Sequence, residues 1–426
     1  MLNTSPSRTI SDLRCGRSDC LVGFIKIQSH IRPQTSFSLL ISINLLLFRF
    51  SIKFSLPPPP PSVSDVVLIL TKYSGTTKMT NYGSVPRVDC PIPYKIIEDA
   101  NHHLIEKPPE EHDALLATLP VQPSTTPYFG PMRPFILYKG AWMAKFSVRG
   151  ALAMEQCFKS RPTDLFLVTF PKSGTTWLKA LIFATLTRTS YPLDQHPLRT
   201  HNPHQCVPVL EWEFATGRSQ IIEAISSPRV LSSHIPYSFL PKTITDSDCR
   251  IVYVWRDPKD VLVSLWYFTV KVMGGADKIA TFEQFYDSFC QGVIGFGSIW
   301  SHILGYWEES KSRPEKILFL RYENILQEPV KHAKQLAHFI GCPYSEAEES
   351  QGVVEQIVEL CSFQKLKNLD VNKGGILFPM DDLNISHSYF FRKGEAGNWK
   401  DHLTHEMAER IDAITEEKFK ESELQF

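Results

Sequence analysis

The sequence predicts an α/β protein with a central parallel sheet flanked by helices. Two observations predict it. Short apolar runs without polar alternation stand at residues 164–170, 250–255 and 316–320, with a weaker one at 229–231. Strands of that composition are buried on both faces, as in parallel sheets. The three stronger runs are each followed by a turn and a helix-like stretch, the alternation that produces layered α/β architecture.

Taken in order, residues 1–78 are expected to form a low-complexity extension without regular structure. They hold nine Lys and Arg against three Asp and no Glu, within a chain of 45 basic and 45 acidic residues. The Pro57 to Pro61 run favours an extended, solvated backbone. The apolar stretch 38–48 is too short for a membrane helix, which needs about 20 residues, and Arg49 and Lys53 interrupt its continuation. No membrane association is expected. Three readings of the extension stay open: a transit peptide, being Arg- and Ser-rich and acid-poor, a disordered tail, or upstream sequence ahead of a start at Met79. The first would send the protein to the chloroplast; the others leave it cytoplasmic.

Residues 79–133 read as an irregular, proline-rich wrap or active-site lid, and residues 134–426 as the main domain. Within it 136–158 is helical or mixed, and 330–340 and 346–360 are amphipathic helices. Zero net charge argues against nucleic-acid binding, since no cation excess exists to displace counterions. Nine cysteines without a Cys-x-x-Cys pair argue against a disulfide scaffold or a thiolate zinc site. No metal is expected.

Ligands of open α/β sheets bind beyond the carboxyl ends of the strands, and the chemistry-bearing residues cluster there. After the first run come Lys172, Ser173, Gly174, Thr175, Thr176 and Trp177, then an apolar helix. Gly174 permits close backbone approach. The amides at the helix N-terminus, three hydroxyls and an ammonium together suit a phosphate or sulfate. A similar Ser74-to-Lys78 stretch has no clear following helix and is discounted. After the run ending at Trp255 stand Arg256 and Asp257, the latter an N-cap before Pro258, with Ser264 about two turns into the helix. Near the C-terminus Arg392, Lys393 and Gly394 form a second clamp for phosphate oxygens. His234 follows the weak fourth run and can accept a hydroxyl proton near neutral pH.

The segment Lys172 to Trp177 resembles the 5′-phosphosulfate loop of the soluble sulfotransferases, and the style around His234-Ile-Pro-Tyr237 is similar to the plant cytosolic members. The resemblance spans roughly residues 134–418. It implies a P-loop-like nucleotide-binding fold and 3′-phosphoadenosine 5′-phosphosulfate (PAPS) as co-substrate. It also implies Arg256, Ser264 and the Arg392 to Gly394 turn at the 3′-phosphate, and Trp177, Tyr322 and Phe363 at the adenine, with Phe391 alongside. His234 would be the general base, Lys172 the group that offsets charge on the leaving phosphate, and Ser264 the group that holds Lys172 until acceptor binds. The family often carries a lysine where this chain has Ser232.

The acceptor implied is a small, largely apolar alcohol such as a flavonoid, steroid or hormone-like molecule. Candidate linings are Tyr128, Phe129, Trp142, Tyr237, Phe239, Trp266, Tyr267 and Phe268. His405 replaces the valine of the family's dimer motif, so a monomer or weak homodimer is expected. Two other classes compete: a phosphoryl-transfer enzyme with Asp257 on magnesium, and a nucleotide-binding module without catalysis.

Overall fold

In the computed structural model the four apolar runs pair into one all-parallel sheet. The structure describes residues 37–45, 48–56, 90–106, 110–122, 135–380 and 383–425. In chain order the sheet and its two principal helices are β1 (Leu165–Thr169), α1 (Thr175–Thr187), β2 (Val230–Ser233), β3 (Arg250–Trp255), α2 (Pro258–Met273) and β4 (Ile317–Arg321). The strand order is β2-β1-β3-β4. Val168 lies opposite both Ser233 and Tyr253, and Trp255 opposite Arg321. All four carboxyl ends therefore open on one edge.

The lack of alternation in the strand sequences has a direct cause. Phe166 and Val168 of β1 join one hydrophobic core with Ile251, Tyr253 and Trp255 of β3. Leu165 and Leu167 join a second core with Val252 and Val254. Every position of β1 and β2 is buried, as is every position of β3 after Arg250, each large apolar side chain contributing about 1.5–3 kcal/mol relative to exposure. At the opposite edge Arg229, fully buried, makes two hydrogen bonds to Asp164, at 2.8 and 2.6 Å. That fork ties the starts of β1 and β2 together, and removing Arg229 would leave the buried Asp164 carboxylate without its charged partner.

Several elements differ from the sequence expectation. Residues 346–360 form two helices, Glu346–Ser350 and Val353–Leu360, because Gly352 takes φ 70° between them. The stretch read as helical or mixed is mixed as expected: a hairpin, Phe135–Tyr138 with Ala141–Ala144, leads into a helix at Lys145–Cys157. The proline-rich wrap holds helices at Tyr94–Ala100 and Glu110–Thr118. It packs on the domain through buried Leu116 and through Tyr94, whose hydroxyl donates to Glu213 at 2.7 Å. One compact unit runs from Pro86 to Phe426. In the other unit, Phe37–Leu45 pairs antiparallel with Phe48–Leu56, where no regular structure is expected. Among the described residues no helix is long and apolar enough to cross a membrane.

Candidate active site

The edge where the strands end borders a cavity of about 360 Å³. β1 ends at Thr169, and the chain turns through Phe170 to Gly174 into α1. Lys172 takes φ 72° and Gly174 φ 103°. A left-handed lysine costs about 1–3 kcal/mol and persists where the surroundings hold it; here the Ser173 amide closes the turn by donating to the Phe170 carbonyl at 3.1 Å. Gly174 caps α1 without a side-chain bond, leaving the helix amides open at that end. It must be glycine for a second reason. A Cβ there would lie 2.7 Å from the Tyr322 ring, and Tyr322 begins the helix directly after β4.

The cations bordering the cavity are Lys172, Arg256, Lys271, Arg392 and Lys393, with Lys172, Arg256 and Arg392 crowded together. Arg256 donates to the Glu395 carbonyl at 2.6 Å, pairs with Asp260 at 3.1 Å and lies 4.7 Å over Tyr322. Arg392 donates to Asn398 at 2.6 Å. Asp260 accepts from the amides of Gly397 and Trp399, at 2.7 and 3.0 Å, tying the C-terminal turn to the start of α2. Burial and the neighbouring guanidiniums of Arg256 and Arg392 push the Lys172 ammonium down to about 7. Burial and Arg256 also lower Arg392. The Nε of Arg256 and the Oγ of Ser173 are buried with no hydrogen-bond partner among the described residues. Crowded, under-neutralised cations of this kind fit a polyanionic ligand.

Aromatic walls flank the cations. Trp177 meets Tyr322 edge-on at 5.7 Å, and Phe363 lies 6.2 Å from Phe391. All four line the cavity, as do Thr175, Thr176, Ser264, Lys393 and Gly394. Gly394 has φ 74°, and a Cβ on it would fall 2.4 Å from the Phe363 ring, so the glycine lets the C-terminal turn close on that aromatic. Ser173 is the exception in the loop: its side chain is fully buried and does not line the cavity.

The other end is apolar. Phe135, Trp212, Phe285, Ile294 and Phe296 line it, with His234 between the two ends. The imidazole lies 5.6 Å from the Phe296 ring and 6.5 Å from Trp212. Its Nδ1 is 2.8 Å from the Thr169 carbonyl, which accepts the Nδ1 proton and leaves Nε2 as the bare nitrogen. Burial lowers the imidazole to about 3, against a rise from the Thr169 bond. It is neutral at working pH, and its backbone amide donates to Glu211 at 2.9 Å.

Most of the residues singled out in the sequence thus meet in one place, but two expectations change. Lys172 makes no hydrogen bond to Ser264; its ammonium sits 4.1 Å over Phe268 and 5.7 Å from the Phe390 centroid, because those rings offer the nearest electron-rich faces. Asp257 keeps its expected role, accepting from the Lys259 amide at 2.9 Å as the cap of α2. Of the expected acceptor linings within the described residues, Tyr267 and Phe268 border the cavity and the others do not. Phe239 packs on Tyr138 at 5.5 Å, and Trp266 on Phe282 and Phe285. Trp142 joins the core, and Tyr237 bonds Arg313. Tyr128 and Phe129 lie outside the described residues. Sequence reasoning missed Phe135, Trp212, Phe285, Phe296 and His204. Nothing local distinguishes these from other core aromatics and histidines.

A sulfotransferase domain model matches residues 162–423. The chain is 39% identical over 332 residues to cytosolic sulfotransferase 17 of Arabidopsis thaliana, covering 76% of this chain and 95% of that protein. It is 43% identical over 286 residues to flavonol 3-sulfotransferase of Flaveria bidentis, covering 67% and 91%. Among solved structures it resembles an Arabidopsis thaliana sulphotransferase (TM-score 0.58, 34% identity, 74% of this chain and 94% of that one). It also resembles mouse sulfotransferase SULT7A1 complexed with PAP (TM-score 0.53, 26% identity, 67% and 95%). With its parallel sheet, strand-end cavity and matched sequence from residue 162 to 423, the chain belongs to the sulfotransferase family.

Proposed function

We propose that this enzyme moves the sulfuryl group of PAPS to a hydroxyl of a small, largely apolar acceptor, with His234 as general base. The observation that carries this reading is one cavity with a cationic end, an apolar end and a neutral imidazole at the junction. PAPS supplies a sulfuryl group already joined to a good leaving phosphate. The chain's residues do the rest. Arg256, Arg392 and Lys393, with Ser264, hold the 3′-phosphate; Trp177, Tyr322, Phe363 and Phe391 enclose the adenine. The loop of Lys172, Ser173, Gly174, Thr175 and Thr176 receives the 5′ end, Ser173 through its place in the turn. His234 Nε2 takes the acceptor's proton while Lys172 offsets charge growing on the bridging oxygen.

The Lys172 ammonium is released from Phe268 by the arriving anion, which returns its proton affinity toward the ordinary lysine value. Burial of the apolar end favours flat or greasy alcohols, including the flavonol class on which the Flaveria relative acts. The reaction runs in the cytosol, in a monomer or weak homodimer. His234→Ala is expected to lower kcat by about 10²–10⁴-fold while the Kd for adenosine 3′,5′-bisphosphate (PAP), measured calorimetrically, stays within about twofold. Retained turnover in that variant removes His234 from the chemistry.

A further inference from the structure

A buried hydrogen-bond chain that the mechanism above does not use runs from the interior of α1 to the anion loop. Lys179 is fully buried, one turn beyond Thr175 and Thr176. Its Nζ donates to the Val207 carbonyl at 2.8 Å and stands 3.0 Å from His204 Nδ1. His204 Nε2 stands 2.9 Å from the Thr176 hydroxyl. The imidazole is stacked on Phe390 at 4.1 Å, and both border the cavity. Phe390 is also one of the two rings over which the Lys172 ammonium rests.

The direction of the chain follows from what each group can give. Burial lowers Lys179 to about 7; below that value it is an ammonium that offers only donors, and the polarity is that of this form. With Val207 taking one proton, the contact to His204 Nδ1 uses another. A neutral imidazole that accepts at Nδ1 carries its proton on Nε2, which then donates to Thr176 Oγ1. The Thr176 oxygen is thereby supplied with a donor, and its own hydrogen is left to point elsewhere. In the reverse polarity Thr176 would donate to His204 and turn a bare lone pair toward any anion in the loop.

The geometry points to Lys179 and His204 as positioning residues that aim the Thr176 hydroxyl hydrogen at the 5′-phosphate end of the nucleotide. The inference rests on the nucleotide reading above and adds two residues to it. They reach no substrate atom in the reaction; their effect passes through Thr176.

The test is a double-mutant cycle in the full chain, read as binding by titration calorimetry. Thr176→Val and His204→Phe each remove one link, the latter keeping a ring on Phe390. Each is expected to weaken PAP by about tenfold, the worth of one hydrogen bond to a charged group. Neither should change binding of 3′-AMP, which lacks the 5′-phosphate. The double variant should bind PAP no more weakly than either single one, and His204→Gln, which keeps an acceptor and a donor, should recover part of the loss. Lys179→Met provides the same reading from the far end of the chain if His204→Phe does not fold, as judged by its thermal midpoint. Additive losses, or equal weakening of PAP and 3′-AMP, overturn the positioning role and leave the nucleotide reading intact. A wild-type chain that binds no PAP overturns both.

Discussion

The cavity's two ends are made in opposite ways. The cationic end is assembled from short stretches that each follow a strand or close a turn: Lys172 to Trp177 after β1, Arg256 after β3, Tyr322 after β4, and Arg392 to Gly394 near the C-terminus. Its groups repel one another, and the depressed Lys172 records that. The apolar end is built from pieces with no local signature. Phe135 comes from a hairpin, Trp212 from the short helix Leu210–Ala215, Phe285 from the helix Phe282–Cys290 and Phe296 from an adjoining turn. The amide of Ala144, at the end of that hairpin, donates to the Gly295 carbonyl at 2.9 Å, which brings two distant segments together. A charged site is thus strained until its ligand arrives, whereas an apolar one is simply part of the core left open.

That contrast can be broken by experiment. His234→Ala, at the junction, carries the largest effect and should act on turnover alone. Next comes Arg256→Ala, which removes a guanidinium from the cationic end. It should weaken PAP by about 100-fold through lost charge-assisted bonds, with kcat at saturation nearly kept. Equal weakening of acceptor and nucleotide would show that the two ends are not separable.

Gly394→Ala introduces a Cβ at 2.4 Å from Phe363 in a left-handed backbone. PAP affinity should fall about tenfold, and stability by about 1–2 kcal/mol, read from a urea midpoint. Phe296→Leu, at the apolar end, should raise the acceptor KM several-fold and leave PAP affinity unchanged; a shift confined to PAP would reverse the assignment of the two ends.

The smallest effect is in pH. Free Lys172 titrates near 7, and a bound anion restores its proton. PAP binding should therefore take up a proton, and affinity should fall as pH rises above 7, by at most about tenfold per unit. Calorimetry in two buffers of different ionisation enthalpy measures the uptake. His234, lowered to about 3, should give no loss of rate through protonation between pH 8 and 6. The free protein has the opposite slope in stability. The unfolded chain binds more protons than the folded one between about 7 and the ordinary lysine value of 10.5, through Lys172 and Lys179, so stability rises with pH across that window.

The strands were legible because burial on both faces leaves an unbroken apolar run; the run at residues 250–255 coincides with β3. Gly352 shows the limit. Its helix break depends on one backbone angle inside an otherwise periodic stretch. The cationic loop was legible because an anion needs amides, hydroxyls and cations within a few residues of a helix start. Ser173 lies within that loop, yet packing buries its hydroxyl.

The amino-acid order by itself determined the α/β architecture, the anion loop and the residues able to meet two phosphates, since each depends on neighbours a few positions apart. Only the tertiary structure decided which aromatics border the cavity, which rings hold Lys172, and that Lys179 and His204 stand behind Thr176. Those depend on side chains far apart in the chain, and an apolar residue has the same composition signal whether it fills a core or lines a site.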